Sequence, residues 1–351
     1  MTSRYFCTYF DQGYLSRGLA LYRSLRQHCP DSRLWALCMD ETSYRCLADL
    51  ALPGLELIAL EAFERDDAEL LRAKANRSRV EYYFTCTPSL PLYILGRWPE
   101  VDMITYLDAD LYFFANPQPI FDELGTGSVA IIPHRFVRRV RQLTKLGRYN
   151  VGWVTFRRDA SGLACLRWWR ERCNEWCYDR YDRVQRRFAD QKYLDEWLQR
   201  FSGVVEIWHK GANLAPWNIA GYRVRAEAAG VWADDDPLIF YHFHAFRQPR
   251  KWLYDHQLHL YGVRPTDEML QYIYVPYIHA LAATGQRTTA ARTLGVVARF
   301  FGLSDLALGM LTRRYIVSRR GRLRSFANLF RPIDLGAAPL LEEDRHAPPL
   351  P

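Results

Sequence analysis

Asp108 and Asp110 stand one residue apart directly after the apolar run 101–107 (VDMITYL), within the stretch DMITYLDADLYFFANP. The run has the β-branched and aromatic content of a strand buried on both faces, so the pair falls where that strand leaves the core. Side chains two apart on extended backbone point to the same side. Two unpaired carboxylates there repel each other, and a divalent cation lying between them and a polyanionic ligand relieves the repulsion. A second group of polar residues closes the first predicted strand, in FCTYFDQGYLSRG, where Thr8, Tyr9, Asp11 and Gln12 precede a helix beginning near Tyr14. Such a loop can clasp a nucleotide base through Thr8 and Asp11 while Tyr9 stacks on it. The chain has neither Gly-x-Gly-x-x-Gly nor Gly-x-x-x-x-Gly-Lys. Dinucleotide and Walker-type ATP sites are therefore disfavoured, and the charge of a bound phosphate has to be met by a metal.

The elements that must position these groups alternate between short strands and helices, the pattern of an α/β domain with a largely parallel sheet. Strands are predicted over 4–10, 33–38, 55–60, 101–107, 129–132, 151–156, 204–208 and 238–243. Helices are predicted over 15–27, 41–50, 66–75, 79–95, 163–178 and 190–201, with Pro88 and Pro91 expected to bend or split the fourth. Ligands of such sheets bind beyond the carboxyl ends of the strands, where both polar clusters fall. After about Arg264 the pattern turns helical, and the closing EEDRHAPPLP reads as a disordered tail. The 351 residues thus divide into a catalytic-type domain over 1–264, a helical, Arg-rich extension over 265–336 and a tail over 337–351.

Charge is concentrated. Residues 286–331 hold ten Arg against the single acid Asp305, a local +9 that leaves the rest of the chain at −1 of the total +8. A nucleic-acid reading would concern that segment alone, which lacks any recognised module, and no nucleic-acid partner is expected. The segment also carries apolar stretches, LGVVARFFGL and LALGML. Together these suit helices lying in the interface of an anionic membrane, a peripheral contact where a lipid-linked acceptor would be met. The eight cysteines form no Cys-x2-Cys pair. They read as free thiols in a reducing cytosol, with Cys173 and Cys177 packing at i, i+4 rather than binding zinc. No signal peptide opens the chain and no uncharged run reaches the roughly 18 residues of a spanning helix, so a cytoplasmic location is expected.

The order of the pieces resembles a sugar-nucleotide-dependent glycosyltransferase of the GT-A fold, similar to family 8 and related nucleotide-diphospho-sugar transferases. The resemblance covers residues 4–250 and rests on CTYFDQGY, LDADLYFF, YNVGWVTF, FADQKYLDEW, HKGANLAPWN and FYHFHAF. It implies an α/β fold with a mixed, mostly parallel sheet, and transfer of a sugar from a nucleotide-diphosphate donor, UDP by resemblance, to a glycan or lipid-linked acceptor with retention of configuration. Asp108, Asp110 and His242 are the implied ligands of Mn²⁺ or Mg²⁺, with Asp108 also reaching the ribose and His244 standing as the rival imidazole. The implied donor-sugar and catalytic residues are Asn150, Gly152, Asp190 and Gln191, with Thr8, Tyr9, Asp11 and Trp217 also lining the donor. Asp190 also sits where a helix should begin, so a helix cap is its alternative role. The family's Gly-x-x-Lys-Pro-Trp is replaced by AFRQPRKW, which leaves Arg247, Arg250 and Lys251 as candidate phosphate cations. The family's Arg before the Asp-x-Asp strand has no clean match, with Lys74, Arg77 and Arg79 nearby. A metal-dependent phosphodiesterase or pyrophosphatase would also use paired carboxylates, but needs a richer cluster for two metals.

Overall fold

In the computed structural model, which describes residues 4–250, 253–284, 314–319 and 322–325, the central sheet is built from β1 (Tyr5–Phe10), β2 (Arg33–Cys38), β3 (Leu55–Ala59), β4 (Met103–Leu107), β6 (Val129–Pro133), β7 (Tyr149–Arg157) and β8 (Val204–Glu206), while β5 (Leu111–Phe113) lies outside it. The order across the sheet is β3-β2-β1-β4-β7-β6-β8. The first four run parallel, β7 is antiparallel to both β4 and β6, and β8 returns parallel to β6. The largely parallel α/β sheet expected from the alternating pattern is the one observed, and it is mixed, as the resemblance implied.

Period-two alternation divides the strand residues between two cores. Cys7, Ile104, Tyr106, Val129 and Ile131 face one side, where they pack with Tyr82, Cys86, Leu90 and Ile94 of the helix Arg79–Arg97 and with Trp169 of the helix Ala160–Glu175. Phe6, Met103, Leu107, Ala130 and Ile132 face the other, against Leu21, Tyr22 and Leu25 of the helix Leu15–His28. The fourth predicted helix is not split at Pro88 or Pro91: one helix spans Arg79–Arg97. Each interior Pro removes a backbone donor. Here a buried residue recurring every fourth position anchors the turns on both sides of the prolines, and a Ser78–Glu81 capping box fixes the start. The predicted 190–201 helix is a 3₁₀ segment, Gln191–Glu196, followed by one α-turn, Trp197–Arg200.

A smaller antiparallel pairing decides where the functional groups meet. Strand Phe240–His242 pairs with β5 so that His242 lies opposite Leu111, the residue after Asp110. Beyond it the chain is helical over Asp267–Met269, Leu270–Tyr274 and Val275–Ala282, packing Ile273, Tyr274, Tyr277 and Ile278 against Tyr241, Phe243 and Phe246. The helical expectation for the extension does not extend to Tyr315–Arg319 and Arg322–Ser325, which form an antiparallel strand pair added to Leu253–Asp255. The β-branched pair Ile316–Val317 suits a strand, and Leu253–Asp255 offers it a backbone edge. The rest of the Arg-rich segment and the tail lie outside the described residues. No described helix is long and apolar enough to cross a membrane.

Candidate active site

β4 ends at Leu107 and the chain turns at once, with the Leu111 N–H donating to the Asp108 carbonyl at 3.2 Å. That turn, rather than the expected alternation along an extended strand, brings the Asp108 and Asp110 carboxylates together. His242 Nε2 lies 3.1 Å from Asp110 Oδ1 and 3.6 Å from Asp108 Oδ2. Backbone bonds hold the imidazole there: the His242 N–H donates to Leu214 O at 2.7 Å and the Phe243 N–H to Asp110 O at 3.0 Å. One potential ligand atom from each of the three side chains falls within 4.8 Å of the others, the one such group among the described residues. Two hard carboxylate oxygens and one imidazole nitrogen fit Mn²⁺ or Mg²⁺.

The two carboxylates are electrostatically unequal. Burial pushes Asp108 up to about 6, the charge of Asp110 adding to the effect while His242 and a 2.9 Å hydrogen bond from Tyr106 Oη oppose it. Burial works the same way on Asp110, but the attraction and hydrogen bond of His242, with help from His244 and Arg17, hold it down at about 2. Burial disfavours charge on the His242 ring too, and the neighbouring Asp110 and Asp108 reverse the sign and raise it. The group as a whole offers concentrated negative charge to a cation.

Behind His242 lies a buried polar file. Its Nδ1 meets Asn150 Oδ1 at 3.2 Å, Asn150 Nδ2 meets His134 Nε2 at 3.3 Å, and His134 Nδ1 meets the Arg148 carbonyl at 3.2 Å. A Cβ on Gly152 would stand 2.6 Å from Asn150 Oδ1 and 2.9 Å from His242 Nδ1. The space that this glycine leaves is therefore filled by the imidazole and the amide. Trp217 is 3% exposed, with its ring centroid 5.2 Å from that of His242 and 5.1 Å from that of His134, so it walls the imidazoles in.

Asp190 is 5% exposed and makes no side-chain cap bond to the 3₁₀ segment it precedes, so the helix-cap account of this residue does not hold. Burial pushes its carboxyl up to about 7, with a hydrogen bond from Thr87 opposing and the charge of Asp108 adding. Because its pKa is raised on folding, the protonated form favours the native state, and native stability falls as pH rises from the unfolded value towards 7. Asp190→Asn should therefore gain on wild type by on the order of 2 kcal/mol between pH 5 and pH 8, read from urea unfolding at both values. A constant difference would contradict this assignment. Gln191 follows, its Nε2 donating to Leu146 O at 3.3 Å and its side chain lying against Gly147.

At the end of β1, Thr8 is fully buried and its hydroxyl has no partner among the described residues. Tyr9 is half-buried with its hydroxyl 3.1 Å from Thr87 Oγ1. Asp11 accepts from Tyr83 Oη at 3.1 Å and from Arg79. Of the three cations preceding the Asp-x-Asp strand, Arg79 thus reaches the first-strand loop, while Lys74 bonds Glu64 at 2.7 Å and Arg77 lies over the Tyr178 ring at 4.0 Å. Arg247 and Arg250 are exposed, and Lys251 lies outside the described residues.

With this geometry in view, the relatives are informative. The chain is 31% identical over 279 residues to the uncharacterized protein YfnD of Bacillus subtilis (strain 168), covering 79% of this chain and 88% of that protein. It is 37% identical over 256 residues to YfnF of the same organism, covering 70% and 82%. The chain belongs to the YfnD and YfnF family. No protein-family model matches it. Among solved structures it is similar to a galactosyltransferase, LgtC, in complex with donor and acceptor sugar analogues, with 17% identity, a TM-score of 0.50, and coverage of 83% of this chain and 98% of that one. This likeness gives the family member its fold, the GT-A arrangement of a mixed sheet flanked by helices.

Two side chains of this YfnD and YfnF relative were not singled out by their sequence setting. His134 belongs to no motif, and only its place at the end of β6 brings it to Asn150. Arg17, in the first turn of the helix Leu15–His28, is 6% exposed, donates to Phe246 O at 2.8 Å and exerts its charge on Asp110. The run SRG after the first strand signals only a helix start.

Proposed function

We propose that the chain is a metal-dependent glycosyltransferase that moves a sugar from a nucleoside-diphosphate donor, with UDP-sugars the first to test, to a glycan or lipid-linked acceptor with retention of configuration. The observation that carries this reading is the meeting of Asp108, Asp110 and His242 at the carboxyl-end mouth of a GT-A sheet. A divalent cation bound by these three would neutralise the diphosphate as it departs. Asp108 would also bind the ribose, and Thr8, Tyr9 and Asp11 would receive the base. Asp190 would hold sugar hydroxyls while the Gln191 amide stabilises positive charge developing at the anomeric carbon. Buried Arg17 would add a cation beside the phosphates. A two-metal pyrophosphatase finds less support, since a second ligand cluster is absent among the described residues. The test is thermal unfolding with a panel of sugar nucleotides, with and without Mn²⁺. Protection by one donor only when Mn²⁺ is present is the expected result, and no protection by any would overturn the reading.

The acceptor we infer is anionic. The β6–β7 connection, residues 135–148, carries six cations and no acid. Its apolar side, Phe136, Val137, Val140 and Leu143, packs on Trp217, and its end touches Gln191. Arg135, Arg139 and Arg148 are bonded to His209 O, Gly262 O and Glu206. Arg138, Arg141 and Lys145 are exposed, and they would face an acceptor bearing phosphate or carboxylate. Exchanging these three for Gln should raise the KM for a charged acceptor at least tenfold at low salt and leave donor protection unchanged. An unaltered KM would rule this surface out. Cytoplasmic placement, with the Arg-rich segment 286–331 against the membrane, completes the proposal.

A further inference from the structure

We infer that Asn150 and His134 are positioning residues that fix the tautomer of His242, presenting its Nε2 lone pair to the cation. The inference rests on the metal-site reading above and assigns Asn150 a task directed at His242 instead of the donor sugar. The direction of the hydrogen-bond file follows from its two ends. At one end the Arg148 carbonyl can only accept, so His134 Nδ1 carries the hydrogen and His134 Nε2 is left as an acceptor. The group of Asn150 that meets it at 3.3 Å must therefore be the amide NH₂. At the other end the Gly152 backbone N–H can only donate, and it lies 3.1 Å from Asn150 Oδ1. Both ends thus orient the amide the same way.

With its oxygen so placed, Asn150 accepts from His242 Nδ1 at 3.2 Å, and Nδ1 keeps its hydrogen. The opposite nitrogen, Nε2, is the one that lies 3.1 Å from Asp110 and 3.6 Å from Asp108. His134, Asn150 and His242 are 4%, 5% and 3% exposed, so water does not compete for these bonds. Phe136 stacks on the His134 ring at 4.5 Å with planes 9° apart, and Trp217 closes the edges of both imidazoles, which resists ring flips. A backing hydrogen bond of this kind sets ring orientation and raises ligand basicity.

The test compares Asn150→Leu with Asn150→Asp by titrating Mn²⁺ into protein without donor and counting free Mn²⁺ by electron paramagnetic resonance. Leu removes the acceptor, and affinity should fall about 10- to 100-fold. Asp keeps an acceptor for both His242 Nδ1–H and the Gly152 N–H. Its second oxygen, which cannot donate to His134 Nε2 as the amide does, is met when His134 takes a second proton, so affinity should stay within about threefold of wild type or rise. Unfolding in EDTA checks that both variants are folded. Equal affinities throughout, or an Asp variant as weak as the Leu variant, would overturn the inference by reducing Asn150 to packing. If wild type binds neither Mn²⁺ nor Mg²⁺, the metal reading fails on its own. The ¹⁵N spectrum of labelled histidines then decides the tautomer, with the His242 Nδ1–H expected in wild type and Asn150→Asp and weakened in Asn150→Leu; its absence from wild type would overturn the inference.

Discussion

Asp110→Ala is expected to lower turnover by on the order of 10² to 10³-fold and to abolish protection of the protein by Mn²⁺ with donor, while the variant still unfolds cooperatively in EDTA. Asp110 is the carboxylate held down at about 2, so across the physiological range it presents a full charge, 3.1 Å from His242 Nε2. Asp108, pushed up to about 6, is the weaker anion and is already engaged by Tyr106. Losing Asp110 therefore removes the more acidic of the two anions facing a cation, the one that stays charged even well below neutral pH, and leaves the leaving diphosphate less compensated. The fold loses the His242–Asp110 bond, offset in part by relief of repulsion between the two carboxylates, and unfolding in EDTA measures that loss separately from the loss of the cation. Turnover within threefold of wild type, still dependent on Mn²⁺, would show that the cation is held elsewhere.

Gln191→Ala should reduce kcat by about 10²-fold while changing donor affinity less than threefold. The amide lies beside Gly147 and the Leu146 carbonyl and follows buried Asp190 in the chain, and none of these neighbours is Thr8, Tyr9 or Asp11, the residues that would receive the base. An amide that acts on charge developing during transfer contributes little in the ground state. The split between kcat and donor Kd, measured by single-turnover kinetics and calorimetry, is the diagnostic. Loss of affinity with unchanged kcat would make Gln191 a ground-state contact only.

The sequence was most legible where the signal is local. The predicted bounds of the strand 33–38 and the helix 41–50 coincide with Arg33–Cys38 and Glu41–Leu50. The strand is a continuous apolar run buried on both faces, and Asp40 caps the helix through the Ser43 N–H. Legibility failed where packing outweighs local preference. Pro88 and Pro91 should interrupt a helix, yet the stripe Tyr82, Cys86, Leu90 and Ile94 is buried along its whole length and carries the helix through them. The helix-cap alternative for Asp190 also fails, since the residue is a buried carboxyl without a cap bond.

By itself the sequence determined the alternation of strands and helices, and it placed Asp108 and Asp110 at the mouth of a central strand. Burial periodicity is written into consecutive residues, and a pair one residue apart needs no other part of the chain to bring it together. Which imidazole joins that pair was decided only in three dimensions, by the register that sets His242 against Leu111. The same holds for the orientation of Asn150, which depends on a carbonyl at Arg148, an N–H at Gly152 and the lone pair of His134. Strand register and the sense of a buried hydrogen-bond file are properties of contacts between distant segments, and no local pattern of residue types encodes them.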